Sequence, residues 1–418
     1  MGDFKQGAKF IYDFTKNIID KFGPRLPGSE EEGLASEEIQ RNFTETLGVN
    51  TKRERFLVAP RASIGAIPIM GGMALVTLGV YYASPLAAAV IGMCIFIFAV
   101  FQVFTYSGVF DFLFKQQLSN NVYSVIEARN EKPEYTLVFS GHMDSSWCWQ
   151  HSANTPKTAI LKTASGIVCL LALIAMSIAN YVLRTDMGIG AASGYDLSNP
   201  LVCVFTFVPL LFIFPYTYLL TYLSWDKKKA SPGAMDNLTG VGLALYMGKR
   251  IKEQPDLIPD NCRVIIAGLG SEEAGLKGSA EFAKQHAKDG LLINPYIINL
   301  DSFRDYDDFN AVKGDIWLFS HFDKDLIKIS VDSMKEAGVN SHIISNPVGG
   351  CDSTPFARKG FKTVTLNAQK PVLTDYYHTC RDTYDSLDMN TLEKSCEILE
   401  KVVEKVNKYH ADNGAYIK

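Results

Sequence analysis

The chain has 418 residues, of which 47% are hydrophobic, 11% aromatic and 21% charged, with 41 Lys+Arg set against 45 Asp+Glu. That apolar share excludes an intrinsically disordered chain, and a net charge of -4 offers no basic footprint for nucleic acid. The 17 prolines are scattered, so no proline-rich stalk exists.

In chain order, Met1 to Asp20 is a charged amphipathic pattern carried by Phe4, Phe10, Ile11, Phe14, Ile18 and Ile19. It predicts a surface helix, not the basic start and apolar run of a cleaved signal. Gly23-Pro24-Arg25-Leu26-Pro27-Gly28-Ser29 is a breaker cluster, and Ser29 is placed to cap a second helix with an acidic first turn, Glu30 to Glu32, ending near Gly48. Strand-like runs follow at 55–58, 122–128 and 135–140, then at 263–269, 296–300, 315–319 and 362–366. Helical patterns separate the later runs. The alternation predicts an α/β fold, a mixed and mostly parallel sheet sandwiched by helices, with an antiparallel edge built from the early strands. Ligands gather at the strand ends of such sheets.

Charged residues vanish between Arg61 and Asp111, between Lys162 and Arg184 and between Asp196 and Asp226. About 20 apolar residues suffice to cross a bilayer. With the first stretch split at the Tyr82 to Pro85 turn, four crossings are predicted, at 62–83, 85–108, 164–183 and 201–224, arranged as two hairpins. The alternative, buried core helices of a soluble protein, fits poorly with segments this long and uncharged. Pro68 and Pro215 are compatible with spanning helices. The crossings hold no Asp, Glu, Lys, Arg or His to mark an ion path, so anchoring is favoured over transport.

Each hairpin returns to its starting side, which divides the chain into one domain made of residues 1–61, 111–163 and 225–418, interrupted by hairpins at 62–110 and 164–224. Lys52, Arg53, Arg55, Arg61, Lys115, Lys157, Lys162, Lys227, Lys228 and Lys229 flank the crossings on the domain's side, against Arg184 alone on the other. The positive-inside rule then places the domain in the cytoplasm. The eight cysteines show no paired spacing, which fits reduced thiols there.

The strand ends carry the chemistry. The run 135–140 leads into Gly141-His142-Met143-Asp144, where His142 and Asp144 share a face. A metal-bound imidazole commonly gives its second N–H to a carboxylate, which suits Asp144, although a His-x-Asp pair is also an ordinary hydrogen-bonded one. Ser231-Pro232-Gly233-Ala234-Met235-Asp236-Asn237 opens a helix, with Asp236 a ligand or an N-cap. Gly270-Ser271-Glu272-Glu273-Ala274-Gly275 places two carboxylates at one strand end, either for a cation or for a helix dipole. Asp301-Ser302 and Tyr376-Tyr377-His378-Thr379-Cys380-Arg381-Asp382-Thr383 complete the series. Pooled, these are hard oxygen and imidazole donors suited to two divalent ions bridged by a carboxylate.

The ordered series resembles the M28 family of co-catalytic zinc peptidases, which includes aminopeptidases and glutamate carboxypeptidases. The likeness runs from Gly23-Pro24-Arg25 and Pro27-Gly28-Ser29 through Gly141-His142-Met143-Asp144, Gly233-Ala234-Met235-Asp236-Asn237, Ser271 to Ser279, Asn299-Leu300-Asp301 and His378 to Thr383, nearly everything outside the hairpins. It implies two zinc ions, or other divalent ions in their place. His142 and Asp301 would hold one and Glu273 and His378 the other, with Asp236 bridging. Glu272 would be the general base, and Asp144 would orient His142. Tyr377 resembles a tyrosine that donates to the tetrahedral oxyanion in some members; an aromatic packed beside the site is the other reading.

Three departures from the family pattern stand out. Cys351-Asp352-Ser353 replaces its Ser-Asp-His turn, one hairpin enters between His142 and Asp236, and another follows the first strand. Because His142 and Asp236 must share an ion, the ends of that second hairpin are expected to lie close together and the site near the membrane surface. A membrane-anchored exopeptidase acting on short or membrane-proximal peptides, most simply an aminopeptidase, is the leading expectation. Carboxypeptidase or dipeptidase action, cyclisation of N-terminal glutamine, and an inactive membrane receptor or scaffold are the alternatives. His142, Asp236, Glu273, Asp301, His378 and Glu272 all stand, which argues against the last.

Overall fold

Ile11, Phe14 and Ile18 bury one face of the helix Phe4–Phe22. Ser29 then caps Glu30–Leu47, accepting from the Glu32 N–H, while Glu32 Oε2 accepts in return from Gly28 N–H at 2.7 Å. Gly48, at φ 62, ends that helix. The computed structural model describes residues 4–130, 132–149, 156–186, 200–224, 229–346 and 349–414, so Lys227 and Lys228 lie outside the described residues. Two units divide the chain, one of Met1–Pro60, Gln116–Asn154 and Asp226–Lys418, the other of Arg61–Lys115 and Thr155–Trp225.

The first unit is built on β1 (Thr51–Val58), β2 (Gln117–Ile126), β3 (Tyr135–His142), β4 (Cys262–Leu269), β5 (Tyr296–Phe303), β6 (Phe309–Asp315), β7 (Ser320–His321), β8 (Ser341–Asn346) and β9 (Lys362–Ala368). Their order is β1-β2-β4-β3-β5-β9-β6-β7, with β8 paired to β6. β4, β3, β5 and β9 run parallel, and β1–β2, β2–β4 and β6–β9 pair antiparallel, so the mixed sheet has its parallel part in the middle. Every residue of β3 is buried, as a strand covered on both faces requires. Leu137 and Phe139 join the core formed with helices Phe4–Phe22, Thr239–Glu253 and Met389–Asn413, while Val138 packs with Phe282 and Phe356 on the opposite face.

Two strand expectations need correction. Of the run 315–319 only Asp315 is strand, because Gly314 pairs with His321 and Asp315 with Ser320, which forces Ile316 to Phe319 into a turn. Ser341–Asn346 is a strand that its half-exposed, largely polar sequence did not announce.

In the second unit four helices are long and apolar enough to cross a membrane: Ala62–Ala83, Pro85–Phe104, Lys157–Leu183 and Pro200–Leu220. The third therefore starts earlier than the expected 164. Val76, Val90, Val168, Leu211 and Phe214 point outward, and Met70, Leu78, Ile95, Leu173 and Tyr216 pack inward. Such an outer surface is costly in water and unpenalised in hydrocarbon. A Cβ on Gly92 would lie 2.7 Å from Ile174 Cγ1, so the close approach of those helices requires glycine. Pro209 opens a 3₁₀ turn, Val208–Phe212, and cannot donate to the Phe205 carbonyl. The Tyr81 hydroxyl donates to that oxygen instead at 2.8 Å, and Tyr82 donates to the Thr206 carbonyl at 2.7 Å.

Candidate metal centre

Within the first unit, His142 is the last residue of β3, Glu272 and Glu273 stand in the turn after β4, and Asp301 lies near the end of β5. Asp236 comes from the tight turn Ala234–Leu238 ahead of Thr239–Glu253, and His378 from the loop after β9. The Asp236–Asn237 peptide is cis. Ser271, Ser302 and His378 all adopt the left-handed conformation, at φ 53, 68 and 53, uncommon for non-glycine residues and gathered here at the site.

Asp236 joins the two halves of the cluster. Its Oδ1 lies 3.0 Å from His142 Nε2 and its Oδ2 lies 3.1 Å from His378 Nε2. Glu273 Oε1 is 3.1 Å from His378 Nε2, and Asp301 Oδ1 is 3.9 Å from His142 Nε2. Donor atoms of His142, Asp236 and Asp301 lie within 4.8 Å of one another, as do those of Asp236, Glu273 and His378. Tetrahedral zinc with bonds of about 2.0–2.1 Å has donor–donor edges of about 3.3 Å, so these separations fit. Glu273 Oε1 is also buried without an aligned hydrogen bond, as expected of an oxygen meant for a cation. The same groups bring together five of the side chains the sequence reading selected, with Glu272 beside Glu273 and His142.

Four buried carboxyl groups and two imidazoles shift one another's protonation here. Burial lifts the Glu272 carboxyl well above its ordinary range and raises Glu273, while His142 and His378 respectively oppose those shifts. Burial also pushes Asp301 up to about 7. For Asp236 burial works upward too, but hydrogen bonds from His142 and His378 win and hold it low. Burial would lower both imidazoles, yet Asp144 and Asp236 raise His142 well above its ordinary value, and Glu273 and Asp236 raise His378 to about 10. Protons on the imidazoles thus supply positive charge that a divalent ion would displace.

Asp144 does more than face His142. His142 Nδ1 is 3.2 Å from the Asp144 main-chain oxygen and 3.5 Å from its carboxylate, whereas Oδ1 and Oδ2 accept the Glu272 and Glu273 N–H groups at 2.9 and 3.0 Å. Tyr377 stacks on the His378 ring, centroids 4.0 Å apart. Burial raises its hydroxyl well above the usual value, and Asp236, Glu273, Asp301 and Glu272 add to that rise. At the Cys351-Asp352-Ser353 turn, Asp352 is fully buried and the Ser353 hydroxyl accepts from Thr363 and Thr365 at 2.8 Å each.

Several supporting residues escaped the sequence reading. Asp382 accepts from Met235 N–H at 2.7 Å and from Asp236 N–H at 3.1 Å. Glu32 Oε1 accepts from Ser271 N–H at 2.8 Å, and Asn237 Nδ2 donates to the Leu300 carbonyl at 2.8 Å. Glu32 was visible as the third residue of a capped helix, but nothing local announced its long-range partner. Cys148 and Cys380 differ from expectation as well, because they form a disulfide with Cα atoms 6.2 Å apart. Their separation of 232 residues left no spacing signal, and such bonds persist mainly in oxidising compartments.

The fold is similar to that of a zinc aminopeptidase from Bacillus subtilis at 13% identity and a TM-score of 0.54, covering 96% of this chain and 95% of that one. An aminopeptidase from Aneurinibacillus sp. strain AM-1 gives 13%, 0.54, 95% and 93%, and a glutaminyl cyclase from Bacteroides thetaiotaomicron 15%, 0.53, 95% and 97%. No curated protein matches the chain. The fold and the peptidase-family match together support a zinc-dependent metallopeptidase. Residues 218–403 match the model of peptidase family M28.

Proposed function

We propose that this protein is a membrane-anchored aminopeptidase working with two zinc ions. The observation that carries the reading is Asp236, whose two oxygens each approach a different imidazole, at 3.0 and 3.1 Å. In this reading His142 and Asp301 would hold one ion, Glu273 and His378 the other, and Asp236 would serve both. The zinc pair would lower the pKa of a water and polarise the scissile carbonyl. Glu272, held in place through its backbone by Asp144, accepts the proton of the attacking water and returns it to the leaving amine. Tyr377 is the candidate donor to the oxyanion, with its ring position set by stacking on His378.

The membrane-proximal part of the proposal draws support from the four apolar helices and from the stem where the second insertion leaves the first unit. Trp147 pairs with Ala230, the Cys148 N–H donates to the Lys229 carbonyl at 3.0 Å, and the Ser231 N–H donates to the Ser146 carbonyl at 2.8 Å. Short peptides, or the ends of membrane-associated ones, are the proposed substrates.

The test is zinc analysis of the purified full chain, with cleavage of free and amino-blocked peptides by the intact protein and Glu272→Gln. Two zinc ions per chain, hydrolysis of the free peptide only, and a kcat about 10²–10⁴-fold lower in Glu272→Gln are expected. Turnover of the blocked peptide would refute aminopeptidase action and leave carboxypeptidase or dipeptidase action. Likeness to a glutaminyl cyclase gives cyclisation of N-terminal glutamine as the second reading, marked by one zinc and loss of ammonia from the substrate.

A further inference from the structure

Arg25 is fully buried, the largest such side chain in the described residues. Arginines are almost never enclosed unless their charge is answered. Its hydrogen bonds all go to main-chain carbonyls: Nε to Met143 at 2.8 Å, Nη1 to Gly23 and Pro232 at 2.9 Å each, and Nη2 to Gly233 at 3.0 Å. The backbone joins in, since Arg25 N–H donates to Ser145 Oγ and Ser145 N–H to the Arg25 carbonyl, both at 2.9 Å.

Those partners are not scattered through the core. Met143 stands between His142 and Asp144, and Pro232-Gly233 leads into the turn that presents Asp236. One rigid fork therefore joins the two loops whose side chains must meet at a shared ion, although they are far apart in sequence and separated by a hairpin. Gly233 sits at φ 65, and a Cβ there would lie 2.8 Å from Nη2, so the approach depends on glycine. Burial pulls the guanidinium pKa down to about 10, against the attraction of Asp144, Asp382, Glu32 and Asp236, which leaves it charged at neutral pH.

We propose that Arg25 is a positioning residue of the metal centre, a planar cation that fixes the spacing of His142 and Asp236 and offsets the carboxylates around them. The proposal rests on the reading of those two residues as ligands. Lysine keeps the charge but cannot serve carbonyls on both loops from one planar fork.

Zinc affinity of the full chain in detergent, measured by chelator competition, tests this in the wild type and Arg25→Lys, alongside melting of the metal-free forms and kcat and KM under saturating zinc. Expected for Arg25→Lys are zinc affinity about 10–100-fold weaker, as for other outer partners of metal ligands, and a fall in kcat exceeding any change in KM. Metal-free melting is expected to fall by several degrees as well, because buried carbonyls on both loops lose donors, so affinity is compared at a temperature where both metal-free forms are folded. Wild-type affinity in Arg25→Lys, with or without a lower melting temperature, makes the residue merely structural and overturns the proposal while leaving the metal reading intact. A wild type that binds no zinc overturns both. Should Arg25→Lys not fold, Ser145→Ala removes the hydroxyl that accepts from the Arg25 N–H; a fall of zinc affinity supports the proposal, and unchanged affinity overturns it.

Discussion

Asp144→Asn probes the link between the general base and the metal ligands most directly. The carboxylate accepts two main-chain N–H groups, from Glu272 at 2.9 Å and Glu273 at 3.0 Å, and is fully buried. An amide keeps one acceptor and turns an NH₂ toward the other N–H. The loss is one hydrogen bond to a charged group, worth about 1.5–3 kcal/mol, together with a buried N–H left unpaired at about 1–3 kcal/mol. Destabilisation of about 2.5–6 kcal/mol follows, or roughly 4–10 °C of melting temperature for a unit of this size. The turn carrying Glu272 and Glu273 shifts with it, so kcat is expected to fall by about 10–100-fold. Differential scanning fluorimetry under saturating zinc, paired with peptide turnover, reads both effects. A melting temperature within about 1 °C of wild type, with turnover unchanged, would show that Asp144 does not hold the turn.

Reduction of Cys148–Cys380, or Cys148→Ser, is expected to lower stability by about 2–4 kcal/mol and to weaken zinc binding, because Cys380 lies two residues beyond His378; thermal melts with and without reductant decide it. His286 bonds Glu54 at 3.0 Å and Asp289 at 2.6 Å, and these raise its pKa although burial lowers it. The stabilisation is therefore full below about pH 6.5 and lost as pH rises through the folded value, so His286→Gln should melt earlier than wild type near pH 6 and converge with it in alkali. Tyr81→Phe removes the hydroxyl that donates to the Phe205 carbonyl and should cost about 0.6–1.7 kcal/mol in detergent unfolding, with no change in zinc affinity.

What was legible in the sequence divides by the range of the signal. Strong local patterns were readable: the long uncharged segments, the amphipathic Phe4–Phe22 and the Ser29 cap all emerge where periodicity and capping place them. Apolar character misled at Ile316 to Phe319, because register with β7 decides what is strand there. The convergence of His142, Asp236, Glu273, Asp301 and His378 was readable only as an ordered series at strand ends. The buried residues behind them were not, since Arg25, Glu32 and Asp382 act on backbone groups distant in sequence. The Cys148–Cys380 pair was hidden for the same reason.

The points of insertion follow from the sheet itself. Val58, the last residue of β1, pairs with Gln117, the first of β2, so the first apolar insertion takes the place of a β-hairpin turn. The second departs and returns through the paired backbone of Trp147 and Ala230. Hairpin turns and paired stems accept inserted chain because their two ends are already neighbours, leaving the closure of the sheet undisturbed. β2 runs antiparallel to β4, so its Gln117 end lies where β3 and β4 finish, and there Ser119 Oγ donates to the Glu32 carboxylate that also holds Ser271. Both insertions therefore leave the first unit from the end of the sheet that carries His142, Glu272 and Glu273.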